Sequence, residues 1–258
     1  MRIVFSEPNN DFIKEAAQRL IEENFCEAIL PQGSFEESFG ILRNGDADAL
    51  IAGIDFPSRD VILAARDIVG VAGQVEGEKK TFSSLFVADL PDGRQFILAD
   101  CATFKNPNAE QLFDIISLVA DASRKILEDE PRLALLSFST FGSGGKDASI
   151  DKINEALKIT HERRPDITID GEMQLDTAVN ERIAAKKAPQ SAVAGRANVL
   201  IVPDINTGNI LCKAIEQFAN AKLAGPILLG FNKPISDLSR GSSIEDVVMT
   251  AKYLAKLV

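Results

Sequence analysis

Short apolar runs and stretches of helical period alternate along this chain almost from its first residue. Arg2–Phe5 reads as a short buried strand, and Phe12, Ala16, Leu20 and Ile21 then recur at helical spacing behind the capping residues Asn9-Asn10. Glu27–Leu30 is a second strand. Ser34-Phe35-Glu36-Glu37 has the form of a capping box, opening a short helix that stops at Asn44-Gly45, where glycine accepts the left-handed conformation. Ala49–Ala52 is a strand and Ser58–Val69 an apolar-faced helix. The order βαβαβα predicts a parallel sheet with helical crossovers.

The pattern changes after Gly70. Phe82–Leu90 and Gln95–Asp100 flank Pro91-Asp92-Gly93, which predicts an antiparallel hairpin. A long helix follows over 108–127, with Leu112, Ile115, Ile116, Val119 and Ile126 on one face. Strand 132–138, helix 148–163, strand 166–169 and helix 176–188 come next. Strand 198–202, helix 209–219, strand 226–230 and helix 243–256 complete the chain. The expected fold class is α/β, with two lobes of mainly parallel sheet and a cleft between them, where such proteins bind ligands.

Length and charge narrow the function. At 258 residues the chain makes one large domain or two modest ones. Its 28 basic and 38 acidic residues leave a net charge of −10, which argues against nucleic acid or an anionic membrane as main partner. No apolar run approaches the roughly 20 residues that span a bilayer, and the start turns polar and acidic too soon for a signal peptide. Three scattered cysteines, an odd number, fit a reducing cytoplasm better than a disulfide framework.

A single histidine excludes much of the usual chemistry. A Ser-His-Asp or Cys-His centre would have to use His161, whose place at the polar end of a helix just before Pro165 is explained by the helix dipole. No Cys/His spacing suits zinc, and no metal site is expected. Any catalysis therefore rests on carboxylates, arginines, hydroxyls and backbone amides.

Two segments carry candidate chemistry. Ser139-Thr140-Phe141-Gly142-Ser143-Gly144-Gly145-Lys146 lies between a strand and a helix, a context that suits anion binding by converging backbone N–H groups. It is neither a P-loop nor a dinucleotide fingerprint, and as a bare pattern a flexible connection explains it better than phosphate binding does. In Asp237-Leu238-Ser239-Arg240-Gly241-Ser242-Ser243-Ile244-Glu245-Asp246, Ser243 and Asp246 form a capping pair. Arg240 is also a fork suited to phosphate or a developing oxyanion, and Asp246 a base one turn into the helix. Spacing does not choose between these readings. Cys101 has no adjacent base and reads as a small structural residue.

These residues resemble the phosphate acetyl/butyryl transferase family. The similarity is carried by Leu98-Ala99-Asp100-Cys101, Asn106-Pro107-Asn108-Ala109-Glu110-Gln111-Leu112, Leu136-Ser137-Phe138-Ser139-Thr140, Asp170-Gly171-Glu172-Met173 and Lys233-Pro234. Its most specific mark is Asp237-Leu238-Ser239-Arg240-Gly241 followed by Glu245-Asp246. The resemblance implies a dimeric two-lobed phosphate acetyltransferase with a discontinuous first lobe, residues 1–74 plus 226–258, and a second lobe over 75–225. It implies acetyl transfer between acetyl phosphate and coenzyme A, with no metal and no permanently bound cofactor.

By the same resemblance Asp246 is the base for the CoA thiol, and Arg240 and Ser239 stabilise the oxyanion and departing phosphate. Ser139 and Thr140 hold phosphate, and Ser58 and Lys233 join the substrate-binding set, to which Arg59 and Arg66 are added as substitutes for a missing arginine. Two departures stand out. The chain is short between its second strand and Asp46, and Leu63 occupies the substrate-binding arginine's position in Ser58-Arg59-Asp60-Val61-Ile62-Leu63. Arg59 and Arg66, four before and three after, lie on nearly the same helical face as substitutes. Butyryl or other short-acyl specificity, and a CoA-binding chain without turnover, stay open alternatives.

Overall fold

A computed structural model of the chain describes residues 1–75 and 80–258. These divide into two compact units, Met1–Phe82 with Lys222–Val258, and Ser83–Ala221. Residues 76–79, near the start of the expected second lobe, lie outside the described residues.

The elements run β1 (Arg2–Phe5), α1 (Asp11–Glu22), β2 (Glu27–Ile29), α2 (Phe35–Asn44), β3 (Ala49–Ala52) and α3 (Ser58–Ala64). They continue with β4 (Ser83–Asp89), β5 (Gln95–Ala99), α4 (Ala109–Ile126), β6 (Leu133–Leu136), α5 (Ala148–Arg163) and β7 (Ile169–Met173). The last are α6 (Leu175–Val179), α7 (Glu181–Lys187), β8 (Val199–Ile201), α8 (Ile205–Ala219), β9 (Lys222–Leu229), β10 (Ile235–Asp237) and α9 (Ile244–Ala255).

In the first unit β1 pairs in parallel with β2 and β3, and β10 pairs in parallel with β3 and antiparallel with β9. The strands read as continuous apolar runs because both faces are covered. Val4, Leu50 and Ile235 are fully buried in one core with Phe39 and Leu42 of α2 and Val61 of α3. Strand alternation turns Ile3, Phe5 and Ile51 the other way. Since β1, β3 and β10 are parallel, the segments after them leave the sheet at one edge. That edge carries Glu7, the turn from Gly53 to Ser58, and Ser239-Arg240.

In the second unit β4 and β5 form the expected antiparallel hairpin, and β5, β8, β6 and β7 follow in parallel. Their carboxyl ends gather the segments that begin at Asp100, Pro203, Ser137 and Gln174. Between β6 and β7 the register steps from Leu135 opposite Gly171 to Leu136 opposite Met173. Glu172 is therefore the extra residue of a β-bulge, the device by which a strand re-aims one side chain.

Several elements differ from their sequence patterns. The helix expected over 58–69 is α3 followed by one π-helical turn, Ala65–Val69. The helix expected over 176–188 is broken at Asn180, whose side chain caps α7 by accepting from the Ile183 N–H at 3.2 Å. The strand expected at 166–169 lies instead at Ile169–Met173, because Arg164 and Arg124 hold Asp166 in ion pairs outside the sheet, each at 2.8 Å. The strand expected at 226–230 starts at Lys222. Strand β10 has no counterpart in the pattern, since Ser236 and Asp237 break its apolar run.

Candidate active site

Ser239 and Arg240 lie in the turn between β10 and α9, two and three residues past Asp237. Ser239 Oγ accepts from the Gly241 N–H at 3.4 Å, and its carbonyl accepts from the Ser242 N–H at 2.9 Å. Arg240 is exposed and enters no hydrogen bond or ion pair among the described residues. Its guanidinium is thus uncommitted. Asp246, one turn into α9, completes a capping box. Its Oδ2 accepts from the Ser243 N–H and hydroxyl, both at 2.8 Å, while Ser243 Oγ accepts from the Asp246 N–H at 3.2 Å. The capping and catalytic readings of this pair thus share one carboxylate, whose Oδ1 has no hydrogen bond among the described residues.

The structure brings Ser58 to this segment. Ser58 is the first residue of α3, and its side chain interacts with the Asp237 carboxyl. Lys233 is half-buried in the turn between β9 and β10, with no ion pair among the described residues. The two arginines proposed as stand-ins at Leu63 fare differently. Arg66 falls in the π-helical turn and is clamped by Asp67 through Nε at 2.7 Å and Nη2 at 3.1 Å. That pair raises the guanidinium's pKa and lowers the carboxyl's. Arg59 is exposed and enters no ion pair among the described residues. The even face expected of a regular helix is lost because the π turn adds a residue. Leu63 itself lines a groove of about 360 Å³ with Phe35, Phe56 and Ile68, rimmed by Glu36, Asp60 and Asp67.

Ser139 and Thr140 are placed differently from expectation. Both are buried, and both hydroxyls are engaged inside the second unit. Ser139 Oγ donates to Glu172 Oε1 at 2.7 Å and accepts from the Gly144 N–H at 2.8 Å. Thr140 Oγ1 accepts from the Gln174 N–H at 3.0 Å. The backbone donors of the loop are committed too. Thr140 N–H goes to Ser143 Oγ at 2.9 Å, Phe141 N–H to the Glu172 carbonyl at 3.0 Å, and Gly142 N–H to Glu172 Oε1 at 2.7 Å. The converging free amides expected of an anion nest are therefore absent from these positions. Glu172, re-aimed by its bulge and buried, is the internal acceptor that occupies Ser139 Oγ and the Gly142 N–H. Sequence reasoning passed over it, although a glutamate beside a strand-interior glycine is itself an anomaly for a buried strand.

Cys101 is buried at the end of β5, and the Cys212 thiol, burial and Asp100 push its pKa well up. A thiol held protonated is a poor nucleophile. Asp100 accepts from the N–H groups of Ala102, Thr103 and Phe104 at 3.1, 3.2 and 2.9 Å, and also from the Ser84 and Thr103 hydroxyls. It thereby shapes the turn that follows β5. A crevice of about 350 Å³ opens at the carboxyl ends of β6 and β8, lined by Ser137, Phe138, Leu175, Asp204 and Leu211 among others.

Parallel strands with polar segments gathered at their carboxyl ends define an open-sheet α/β protein of ligand-binding type. The chain belongs to the phosphate acetyl/butaryl transferase family, whose model matches residues 36–255. It is 45% identical over 215 residues to a phosphate acetyltransferase of Treponema pallidum, covering 81% of this chain and 63% of that protein. A phosphate acetyltransferase of Clostridium acetobutylicum is 45% identical over 212 residues, covering 80% and 62%. The chain thus spans less than two thirds of the length of these relatives. A phosphotransacetylase structure from Streptococcus pyogenes superposes with a TM-score of 0.86 at 30% identity, covering 100% of this chain and 93% of that one.

Proposed function

We propose that this chain transfers an acetyl group between acetyl phosphate and coenzyme A. The observation that carries the reading is the β10–α9 segment. In a chain of this family it presents an uncommitted Arg240 beside Ser239, with Asp246 one turn into the helix. In the direction of acetyl-CoA synthesis, the Asp246 carboxylate takes the thiol proton as sulfur attacks the acetyl carbonyl. A thiol with pKa about 8.5 is mostly protonated near neutral pH, so this proton must be removed as attack proceeds. The carbonyl oxygen gains charge, Arg240 and Ser239 stabilise it, and the bond to phosphate breaks to release inorganic phosphate.

Ser58, Arg59 and Lys233 contribute substrate contacts. Ser139 and Thr140 act by holding the loop after β6 in shape. No acyl-Cys101 takes part, in keeping with its buried thiol. Among the described residues no group of three or more His, Cys, Asp or Glu is placed to hold a metal ion, and the proposed steps use side chains alone.

A homodimer is part of the proposal. Ile210 and Phe218, two turns apart on α8, are 68% and 88% exposed, an apolar stripe suited to a second copy. A reducing, cytoplasmic setting is supported by Cys26, Cys101 and Cys212, all free thiols. No described helix is long and apolar enough to cross a membrane.

The test is CoA-dependent consumption of acetyl-, propionyl- and butyryl phosphate by the wild type and Arg240→Ala. We expect acetyl-CoA as the preferred product and a loss of about a hundredfold or more in the variant. Preference for butyryl phosphate would reassign the acyl group. CoA binding without turnover by the wild type would overturn the reading.

A further inference from the structure

Asp237 is a buried carboxyl that the proposed mechanism does not use. It ends β10, opposite Ala52 of β3, and is fully buried with neither side-chain oxygen hydrogen-bonded within normal geometry. The space it occupies is made by Gly53, whose φ is +104°. A β-carbon there would collide with Asp237 Oδ1 and lie 2.7 Å from the Leu238 nitrogen. The Leu238 N–H donates to the Ala52 carbonyl at 2.6 Å, so the chain is pinned to β3 one residue before Ser239.

Among the described residues, none of the groups acting on the Asp237 carboxyl is a cation. From the segment after β1 comes Glu7, itself buried, which accepts the Gly53 and Asp55 N–H groups at 2.8 and 3.1 Å and the Ser6 hydroxyl at 3.1 Å. From α3 comes Ser58. Ala52 of β3 and the Pro226-Ile227 end of β9 are apolar, as are Val247 and Val248, the first fully or nearly buried residues of α9. Arg240 makes no ion pair with Asp237. An isolated charge in such a place is costly, and a neutral acid is not.

We propose that Asp237 is a positioning residue for acetyl transfer: as the neutral acid it seats the Ser239-Arg240 turn against the Gly53 turn, and ionisation unseats it. Burial and the Glu7 charge raise its pKa to about 7, with Ser58 opposing them, so the change falls near neutral pH. The inference rests on the acetyltransferase reading and goes beyond it, since it assigns a pH-dependent step to a group outside the reacting set.

The experiment measures kcat and KM for acetyl phosphate from pH 6 to 9 in the wild type, Asp237→Asn and Glu7→Gln. Thiol ionisation and the Asp246 chemistry are common to all three, so ratios isolate Asp237. We expect wild type and D237N to agree within about threefold at pH 6. Above the break the wild type loses kcat/KM relative to D237N by about tenfold per pH unit, through a rising KM. E7Q, by removing a like charge, moves the wild-type break to lower pH. A ratio to D237N that stays constant from pH 6 to 9 overturns the proposal. If D237N does not fold, the E7Q break decides alone: a downward shift supports it and an unmoved break overturns it. Absence of wild-type turnover overturns the acetyltransferase reading itself, a result distinct from superimposable profiles in active enzymes.

Discussion

Asp246 Oδ2 receives both the backbone N–H and the hydroxyl of Ser243, each at 2.8 Å, so the carboxylate that caps α9 is also the one proposed as base. Asp246→Asn separates the two tasks. The amide oxygen still accepts from Ser243 and keeps the cap, whose loss costs about 1 kcal/mol, but the amide takes no proton. The expected result is a melting temperature near that of the wild type with turnover lowered by about 10²- to 10⁴-fold. Thermal melts run beside initial rates check it, and wild-type rates in the variant would place the base elsewhere.

Arg59 and Arg66 should separate under mutation. Arg66 already spends its fork on Asp67, whereas Arg59 has no ion pair among the described residues. Arg59→Ala is expected to raise KM for the anionic substrates by about tenfold, worth about 1.4 kcal/mol, with kcat held. Arg66→Ala should leave KM within about twofold. Equal effects in the two variants would show that the Asp67 pair opens on binding.

Glu172 holds the loop after β6 through Ser139 Oγ and the Gly142 N–H. Glu172→Gln replaces charge-assisted acceptors by weaker neutral ones and is expected to cost about 1–3 kcal/mol. Urea denaturation measures this directly. Amide hydrogen exchange should quicken first at Gly142 and Gly144. Unchanged protection there would mean the loop is held by other contacts.

Asp237 also links stability to pH. Its folded pKa of about 7 lies above the ordinary 3.8, so the native state keeps a proton that the unfolded chain has lost. Stability therefore falls as pH rises from about 4 to about 7 and levels off above that, by up to about 4 kcal/mol from this group. Glu7, whose pKa burial also raises, acts in the same direction. The melting temperature of Asp237→Asn minus that of the wild type should increase through this window. A difference independent of pH would contradict the buried, unpaired state of the carboxyl.

Cys101 should be chemically silent. Iodoacetamide at neutral pH is expected to leave it unlabelled in the folded protein, and Cys101→Ala should keep turnover within about threefold. A trapped acetyl thioester on this residue would show that transfer is not direct.

Much of this molecule is legible in the one-dimensional pattern. The alternation of apolar runs and helical stretches determined the α/β class, because period 2, period 3.6 and their caps are local properties of neighbouring residues. The segment holding Ser239, Arg240 and Asp246 was visible as a short contiguous motif with a helix start inside it. Its spacing did not choose between capping and catalysis, and the proposed roles rest on the family resemblance. What the pattern could not show depends on partners distant in sequence. Strand β10 exists because Ile235, Ser236 and Asp237 pair with Leu50, Ile51 and Ala52, nearly two hundred positions earlier, and its own polar residues hide it. The Glu172 bulge is a mismatch of register between two strands, so no single strand encodes it. Free amides in the 140–145 loop and a paired Arg59–Arg66 face were both reasonable from spacing, yet a buried carboxylate and a π turn decided otherwise. Local sequence chose the elements and carried the groups proposed to react. Tertiary packing decided which carboxyls are buried without a counter-charge, and so where protonation can govern the site.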